Sequence, residues 1–322
     1  MLDFLKPIEE DLEFVERETY ERLKNNVSLI SNIGMHIAKS GGKRLRPALV
    51  LLSAKLCGYT GERSIDIACV VEFIHTATLL HDDVVDEADI RRGSPSANSK
   101  WGSEASILVG DYLFSKAFSL LVRSSDLRIM ESLSGASIKM AEGEVLQLSK
   151  RHDINISKEC YIDIITRKTA ELISSCCEVG AIIAKAKTEE EEALASYGRN
   201  IGIAFQLVDD TLDFIAKREK LGKPLGNDLK EGKITMPLLK VVESESEENI
   251  EKIKKILSHS GLNGNGVVFI LDLVKKHNGI EYALDMAADY SRKAKENLAI
   301  FPFSKEKGLL LELADYIVKR DH

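Results

Sequence analysis

Residues 79–93 read LLHDDVVDEADIRRG, placing Asp82, Asp83 and Asp86 within one helical turn and Arg91 and Arg92 just beyond it. A second stretch, FQLVDDTLDF at 205–214, repeats the spacing at Asp209, Asp210 and Asp213. At about 100° per residue, Asp82 and Asp86 lie about 40° apart on one helix face, with Asp83 on its shoulder. Like charges four apart destabilise a helix by a few tenths of a kcal/mol. Each motif also closes its helix before a loop, so the carboxylates meet the negative end of the helix dipole. Both effects oppose the placement, and a multivalent cation reverses both. All-oxygen carboxylate ligation with water to spare suits Mg²⁺. A solvated acidic face would account for one such motif. It does not account for two, each flanked by apolar positions.

The basic residues cluster where an anion would complete the arrangement. Arg91 and Arg92 follow the first motif, and Lys223 and Lys233, in LGKPLGNDLKEGK, follow the second. GGKRLRP at 41–47 puts Lys43, Arg44 and Arg46 ahead of a helix predicted to begin at Pro47. Cations at a helix N-terminus are unfavourable alone and sensible around a bound anion, where amide N–H groups and side chains converge. The alternative is a basic loop that only aids solubility. Two carboxylate clusters with three basic loops suggest one diphosphate held through Mg²⁺ and a second held by cations directly. Polar groups also interrupt apolar helices. His75 sits about 20° from Asp82 on the wheel, and Gln206 about 60° from Asp209. Lys168 and Thr169 lie in the apolar run ITRKTAELI. A lone histidine is more often a satisfied core residue, but His75 shares the face of the aspartates.

The elements that must position these groups are helical. The chain has 322 residues, 44% hydrophobic, enough for a large core, and its 6 prolines favour long helices. Period-3.6 patterns predict helices over 8–39, 47–57, 64–86, 104–122, 127–149, 158–186, 189–215, 236–257, 267–276, 279–299 and 305–319. No alternating strand pattern is evident. SHSGLNGNG at 258–266 is a turn-rich connector. One all-α domain over residues 1–322, with ten or more helices, is the economical reading. The net charge of −7 argues against nucleic acid as a partner. Five cysteines without metal-type spacing read as buried free thiols. The N-terminus MLDFLKPIEEDLEF is acidic and lacks an apolar signal region. No run reaches about 18 uninterrupted apolar residues. The expectation is a soluble cytoplasmic protein.

Six stretches, GGKRLRP, HTATLLHDDVVDEADIRRG, GEVLQL, RKTAEL, FQLVDDTLDF and LGKPLGNDLKEGKITMP, resemble in type and order the motifs of the trans-isoprenyl (polyprenyl) diphosphate synthases. The resemblance covers roughly residues 30–320. It implies the isoprenoid synthase fold, helices around a deep central cavity, and a homodimer. It implies a head-to-tail (1'-4) prenyltransferase that adds isopentenyl diphosphate repeatedly to an allylic diphosphate such as farnesyl diphosphate. It further implies three Mg²⁺ per active site, ligated by Asp82, Asp83, Asp86, Asp209 and Asp213, with Asp210 among the catalytic carboxylates. Arg91, Lys168 and Lys233 would contact the allylic diphosphate. Lys43, Arg46, His75 and Arg92 would hold the diphosphate of isopentenyl diphosphate. Thr169 and Gln206 would line the site where the carbocation forms, and Arg44 and Lys223 are second choices.

The resemblance also bears on product length. The residues four and five before the first aspartate, Thr78 and Ala77, form the upper floor of the family's product cavity, and both are small here. Leu133 is a candidate for a deeper floor. The expected product is heptaprenyl to decaprenyl, octaprenyl being the central choice, for a quinone side chain, with transient membrane contact for product release. Alternatives are a geranylgeranyl diphosphate synthase or the catalytic subunit of a heteromeric synthase. A terpene cyclase usually has a mixed Asn/Ser/Glu second metal site, which VDDTLDF is not, and needs no isopentenyl site. A squalene-synthase-like enzyme lacks GGKRLRP. A non-catalytic partner subunit generally loses motif residues, and none is lost here. A helical cation-binding protein leaves the basic loops unexplained.

Overall fold

The computed structural model describes residues 3–124, 126–215, 226–258 and 264–320. The described chain is almost entirely helical: α1 (Glu9–Leu23), α2 (Ser28–Lys39), α3 (Leu45–Leu56), α4 (Arg63–Val85), α5 (Ala97–Trp101), α6 (Ser103–Ser124), α7 (Leu127–Ser149), α8 (Lys158–Ile165), α9 (Glu171–Ile183), α10 (Thr188–Ile215), α11 (Asn227–Lys230), α12 (Met236–Val242), α13 (Glu247–Leu257), α14 (Gly264–Lys276), α15 (Gly279–Asn297) and α16 (Lys305–Lys319). The strands are two-residue pairs, β1 (Ile90–Arg91) and β2 (Ser94–Pro95), antiparallel with Arg91 opposite Ser94. The all-α expectation holds, and every predicted helix is present.

The differences are in the breaks. The run 8–39 splits at 24–27, where Asn25 Oδ1 accepts the Val27 N–H and Ser31 Oγ accepts the Asn25 N–H. Such side-chain bonds give the backbone an alternative to the helix ladder. The run 236–257 splits where Ser246 caps α13 by accepting the Asn249 N–H. Helix α3 begins at Leu45 rather than Pro47, and Pro47 falls in the first turn, where its missing N–H loses no bond. The run 158–186 holds a π-helical turn, Thr166–Ala170, between α8 and α9.

The chain forms two compact units. The first comprises residues 1–137, 173–198 and 297–313. Its centre is α4, which packs chiefly on α6 and also on α3 and α1. Helix α4 is apolar nearly all round, and Ile67, Val70, Val71, Phe73, Ile74, Ala77 and Leu80 are all at most 1% exposed. That is the pattern of a core helix. Close approach is bought by glycine: a Cβ at Gly110 of α6 would meet the His81 ring of α4. By length and composition α4 and α6 would each suffice to cross a membrane, but the apolar window of α4 is 72% buried within the protein.

The second unit comprises residues 138–172, 199–296 and 314–322. Here α12 packs on α14 and α8. The π turn is gripped from two sides: a Cβ at Gly143 of α7 would stand 2.8 Å from the Lys168 nitrogen, and one at Gly202 of α10 would meet Ala170.

Candidate active site

In the first unit, the last turn of α4 and its C-cap carry the first aspartate motif. The Asp86 N–H donates to the Asp82 carbonyl at 2.8 Å, so both residues sit at the helix end, where their charge is least favoured. Asp82 and Asp86 are partly exposed. Asp83 is fully buried, and Arg91 Nε donates to its Oδ1 at 2.6 Å. The β1–β2 hairpin delivers that arginine. Its turn residues Arg92 and Gly93 both have positive φ, 50° and 77°, as a tight two-residue hairpin turn of matching twist requires. Residues 87–102 fall outside the helical patterns, and the Arg92-Gly93 pair is the local signal for this hairpin.

The loop at 41–44 faces the other arginine. Arg92 Nη1 donates to the Gly41 carbonyl, and its guanidinium lies so close to Gly42 that a Cβ there would stand 2.8 Å from it. Arg46, in the first turn of α3, stands with Nη1 3.1 Å from His75 Nε2. Burial first, then the charges of Arg46, Arg92 and Arg91, hold His75 well below the usual imidazole range, so the ring is neutral. Burial likewise lowers the pKa of Arg46 and, together with Arg91, that of Arg92. Arg46 Nε is buried without a hydrogen-bond partner. Cations crowded around a neutral imidazole, with a buried donor unused, are chemically complementary to a multiply charged anion. Arg44 does not join them. Its backbone is left-handed (φ 49°), and its guanidinium turns inward to Glu72, Glu16 and the Ala38 carbonyl at 2.8 to 2.9 Å. Those three acceptors occupy the Arg44 guanidinium. Ala77 and Leu133 are fully buried, and Thr78 Oγ1 donates to the His75 carbonyl at 2.8 Å.

In the second unit, the last turns of α10 carry the second motif, and its three aspartates differ. Asp209 is exposed and paired with Arg320 Nη2 at 3.0 Å. Asp210 is buried; Tyr161 OH and Gln206 Nε2 donate to it at 2.6 and 2.7 Å. Burial outweighs those two donors and raises its pKa to about 6. Asp213 accepts the backbone N–H groups of Asn227 and Asp228, each at 3.1 Å, and so anchors the start of α11. Gln206 Oε1 accepts Thr169 Oγ1 at 2.8 Å, joining the π turn to the motif. Lys168 Nζ bonds Gln147 Oε1 at 2.7 Å and Glu144 Oε1 at 2.5 Å, so GEVLQL holds the lysine of RKTAEL. Lys233 Nζ pairs with Glu231 at 2.5 Å. Lys43 is partly exposed, and Lys223 lies outside the described residues.

The donor set fits Mg²⁺ in kind: carboxylate oxygens, with Asp82, Asp86 and Asp209 reachable from solvent. Among the described residues no three His, Cys, Asp or Glu side chains converge into a closed metal cage. Mg²⁺ bound through one or two carboxylates, water and substrate phosphate needs none. Sequence reasoning missed Tyr161 and Arg320. Neither carries a local signal: Tyr161 reads as an apolar helix position, and Arg320 stands 111 residues from the aspartate it pairs with.

The chain matches the polyprenyl synthetase family over residues 27–270. It is 40% identical over 313 residues to octaprenyl diphosphate synthase of Escherichia coli (strain K12), covering 97% of this chain and 96% of that one. A polyprenyl synthase from Caulobacter crescentus CB15, solved complexed with calcium and isoprenyl diphosphate, superposes with a TM-score of 0.95 at 41% identity, covering 99% of this chain and 97% of that chain. A decaprenyl diphosphate synthase from Rhodobacter capsulatus gives a TM-score of 0.94 at 40% identity, covering 99% and 98%. With the motifs, the all-α fold and both chains matched almost end to end, this protein belongs to the polyprenyl synthetase family.

Proposed function

We propose that the chain is a Mg²⁺-dependent head-to-tail trans-prenyltransferase. It adds isopentenyl diphosphate repeatedly to an allylic diphosphate and makes a long-chain polyprenyl diphosphate, octaprenyl in the first instance, for a quinone side chain. One observation carries the reading. Within the first unit, Arg91 ties the buried Asp83 of an acidic helix end, while the same hairpin's Arg92, with Arg46, crowds a neutral His75. Cation-hungry carboxylates and anion-hungry guanidiniums therefore share one short stretch of chain.

In this reading Asp82, Asp83 and Asp86, with Asp209 and Asp213, take Mg²⁺, three ions per site. Bound there, the metal supplies a Lewis acid for charge developing on the allylic diphosphate. Arg91, Lys168 and Lys233 stabilise the same charge as the allylic C–O bond ionises. Lys43, Arg46, His75 and Arg92 hold isopentenyl diphosphate, whose double bond attacks the allylic carbon. Thr169 and Gln206, locked by their mutual hydrogen bond, face the carbocation with oxygen rather than N–H or ammonium. The released diphosphate takes the proton that is lost, so no side-chain nucleophile is needed. Apolar helices exclude the water that would quench the cation. The whole of 1–322 acts as one synthase domain of a cytoplasmic homodimer. Helix α6 supports the dimer: its apolar window is only 33% buried, and Ile107, Leu108 and Val122 are exposed along it.

The test is chromatography of dephosphorylated products from farnesyl diphosphate and labelled isopentenyl diphosphate. Wild type should extend well beyond geranylgeranyl and stop working in EDTA. Ala77→Phe puts a ring at a fully buried alanine and should halt growth near farnesyl or geranylgeranyl. A wild type that itself stops at geranylgeranyl would replace the long-chain reading with a geranylgeranyl diphosphate synthase. An Ala77→Phe variant with an unchanged long product would remove Ala77 from the tunnel wall.

A further inference from the structure

A cavity of about 560 Å³ opens in the first unit against the N-terminal half of α4 and the C-terminal half of α6, away in sequence from every motif above. Its lining has two characters. Ile67 and Val70, each 1% exposed, and the half-buried Leu120 give it an apolar floor. Arg22, Arg63, Lys116 and Arg123 give it four cations against a single lining carboxylate, Asp66. Two of the cations are partly neutralised: Arg22 pairs with Asp66 and Glu18, and Arg63 lies 3.7 Å from Asp126. Lys116 and Arg123 have no carboxylate partner among the described residues.

The position of this cavity along α4 matters as much as its lining. Taking about 100° per residue, Ala77, Ile74, Val70, Ile67 and Arg63 fall within about 80° of one another on the wheel. His81 belongs to the same face and packs on α6, its ring stacked against Phe114 at a centroid distance of 6.0 Å. One face of α4 therefore carries both the alanine assigned to the product wall and the residues behind the basic cavity, while Asp82 lies about 140° around the wheel from Ala77. The distance from Asp82 to Val70 along the helix is about 18 Å at 1.5 Å per residue. On α6, Lys116, Leu120 and Arg123 lie about 100° or more around the wheel from the exposed Ile107 and Val122, while the exposed Leu108 lies about 60° from Arg123.

We propose that this cavity binds the phosphate headgroup of an anionic bilayer lipid, Lys116 and Arg123 contacting the phosphate and the half-buried Leu120, backed by Ile67 and Val70, taking the first methylenes of an acyl chain. An apolar floor beneath unpaired cations matches an anionic amphiphile, since a free anion has no use for the floor and a neutral lipid none for the cations. The long apolar tail of a polyprenyl diphosphate partitions into a bilayer. A lipid site about 18 Å along α4 from Asp82 would hold the enzyme against a bilayer. The site's role rests on the long-chain product proposed above, but lipid binding itself can be read without turnover.

Co-sedimentation of the full-length protein with vesicles tests it. Vesicles of equimolar phosphatidylglycerol and phosphatidylcholine should bind, and pure phosphatidylcholine should not. The double substitution Lys116→Gln, Arg123→Gln should weaken binding roughly 25-fold, about 1 kcal/mol for each charge removed near the surface. A control of equal charge, Lys254→Gln, Lys255→Gln on α13, should bind as wild type. Leu120→Ser should weaken binding severalfold with all charges kept. All three variants should retain prenyl transfer in detergent, which shows that they fold. Equal loss in the control pair would reduce the effect to net charge and overturn the site. So would unchanged binding in the Lys116/Arg123 variant, equal binding to pure phosphatidylcholine, or full release of vesicles by inorganic phosphate at constant ionic strength.

Discussion

The two aspartate motifs share a spacing and little else. In the first, the buried carboxylate, Asp83, is answered by a guanidinium eight residues away on a hairpin. In the second, the buried carboxylate, Asp210, is answered by two neutral donors, one from 49 residues away, and burial wins over them. The last aspartate differs as well. Asp86 caps its own helix, while Asp213 anchors the next helix through two backbone amides. Equal spacing therefore fixes which carboxylates stand on one face but not what each is for. Partners decide that. A charged partner keeps a carboxylate ionised, whereas burial with neutral partners holds it near its titration point.

Removing carboxylates from the first motif should give the largest effect and should divide it internally. Asp82→Ala is expected to lower turnover by roughly three orders of magnitude or more, since it takes away ground for charge stabilisation at the leaving group. Its thermal midpoint should stay close to wild type, because Asp82 is partly exposed. Asp83→Ala should lose activity comparably and stability too, for it strands Arg91. Steady-state kinetics at saturating Mg²⁺ with parallel melting curves separate the two. Near-normal activity in either variant would end the metal-site assignment. Equal melting of both would mean that the Asp83–Arg91 pair does not hold the helix end.

How much of this was legible follows the same division. Helix positions, both motifs and the basic loops were readable, because apolar periodicity and charge spacing are local. The Arg44 side chain was not. GGKRLRP offers three cations of equal appearance, and only the packing of α1 and α4, which brings Glu16 and Glu72 to Arg44, turns one of them into a structural residue. Tyr161 and Arg320 were invisible for the same reason. The π turn at Thr166–Ala170 was also missed: its signal lies in Gly143 and Gly202, two helices that press on it, and not in TRKTA itself. Two-helix splits at 24–27 and 243–246 were readable in principle, through Asn25 and Ser246, but the apolar pattern continues across both.

A smaller effect should distinguish the cations that serve carboxylates from those that serve only anions. Lys43→Ala and Arg46→Ala should raise KM for isopentenyl diphosphate roughly tenfold or more, about 1.4 kcal/mol or above for a charge-assisted bond, and leave the allylic KM nearly unchanged. Arg91→Ala should do the reverse. It should also destabilise the fold by about 3 kcal/mol, because it leaves a fully buried Asp83 without its guanidinium. Initial rates with each substrate varied in turn, plus denaturant unfolding, supply both numbers. Equal effects of all three substitutions on both substrates would dissolve the separation into two diphosphate sites.

The effect of Asp210 is read in pH dependence, and its sign follows from burial. The carboxyl is held at about 6 in the folded protein, against 3.8 for an ordinary aspartate. Between those values the native state binds more protons than the unfolded chain, so stability falls as pH rises. The contribution is fully present below about pH 4 and is lost as pH passes 6, a total of up to about 3 kcal/mol. Asp210→Asn keeps an oxygen for Tyr161 OH to donate to and removes the titration. Denaturant unfolding of both proteins without Mg²⁺, at steps from pH 4 to 7, should show wild type losing stability relative to the variant as pH rises. The second motif would then be a carboxylate held by neutral donors and set close to neutral pH, unlike the arginine-locked first. A constant difference across that range would mean that Tyr161 and Gln206 outweigh burial and keep Asp210 ionised throughout, and the contrast between the motifs would shrink to one of partner identity alone.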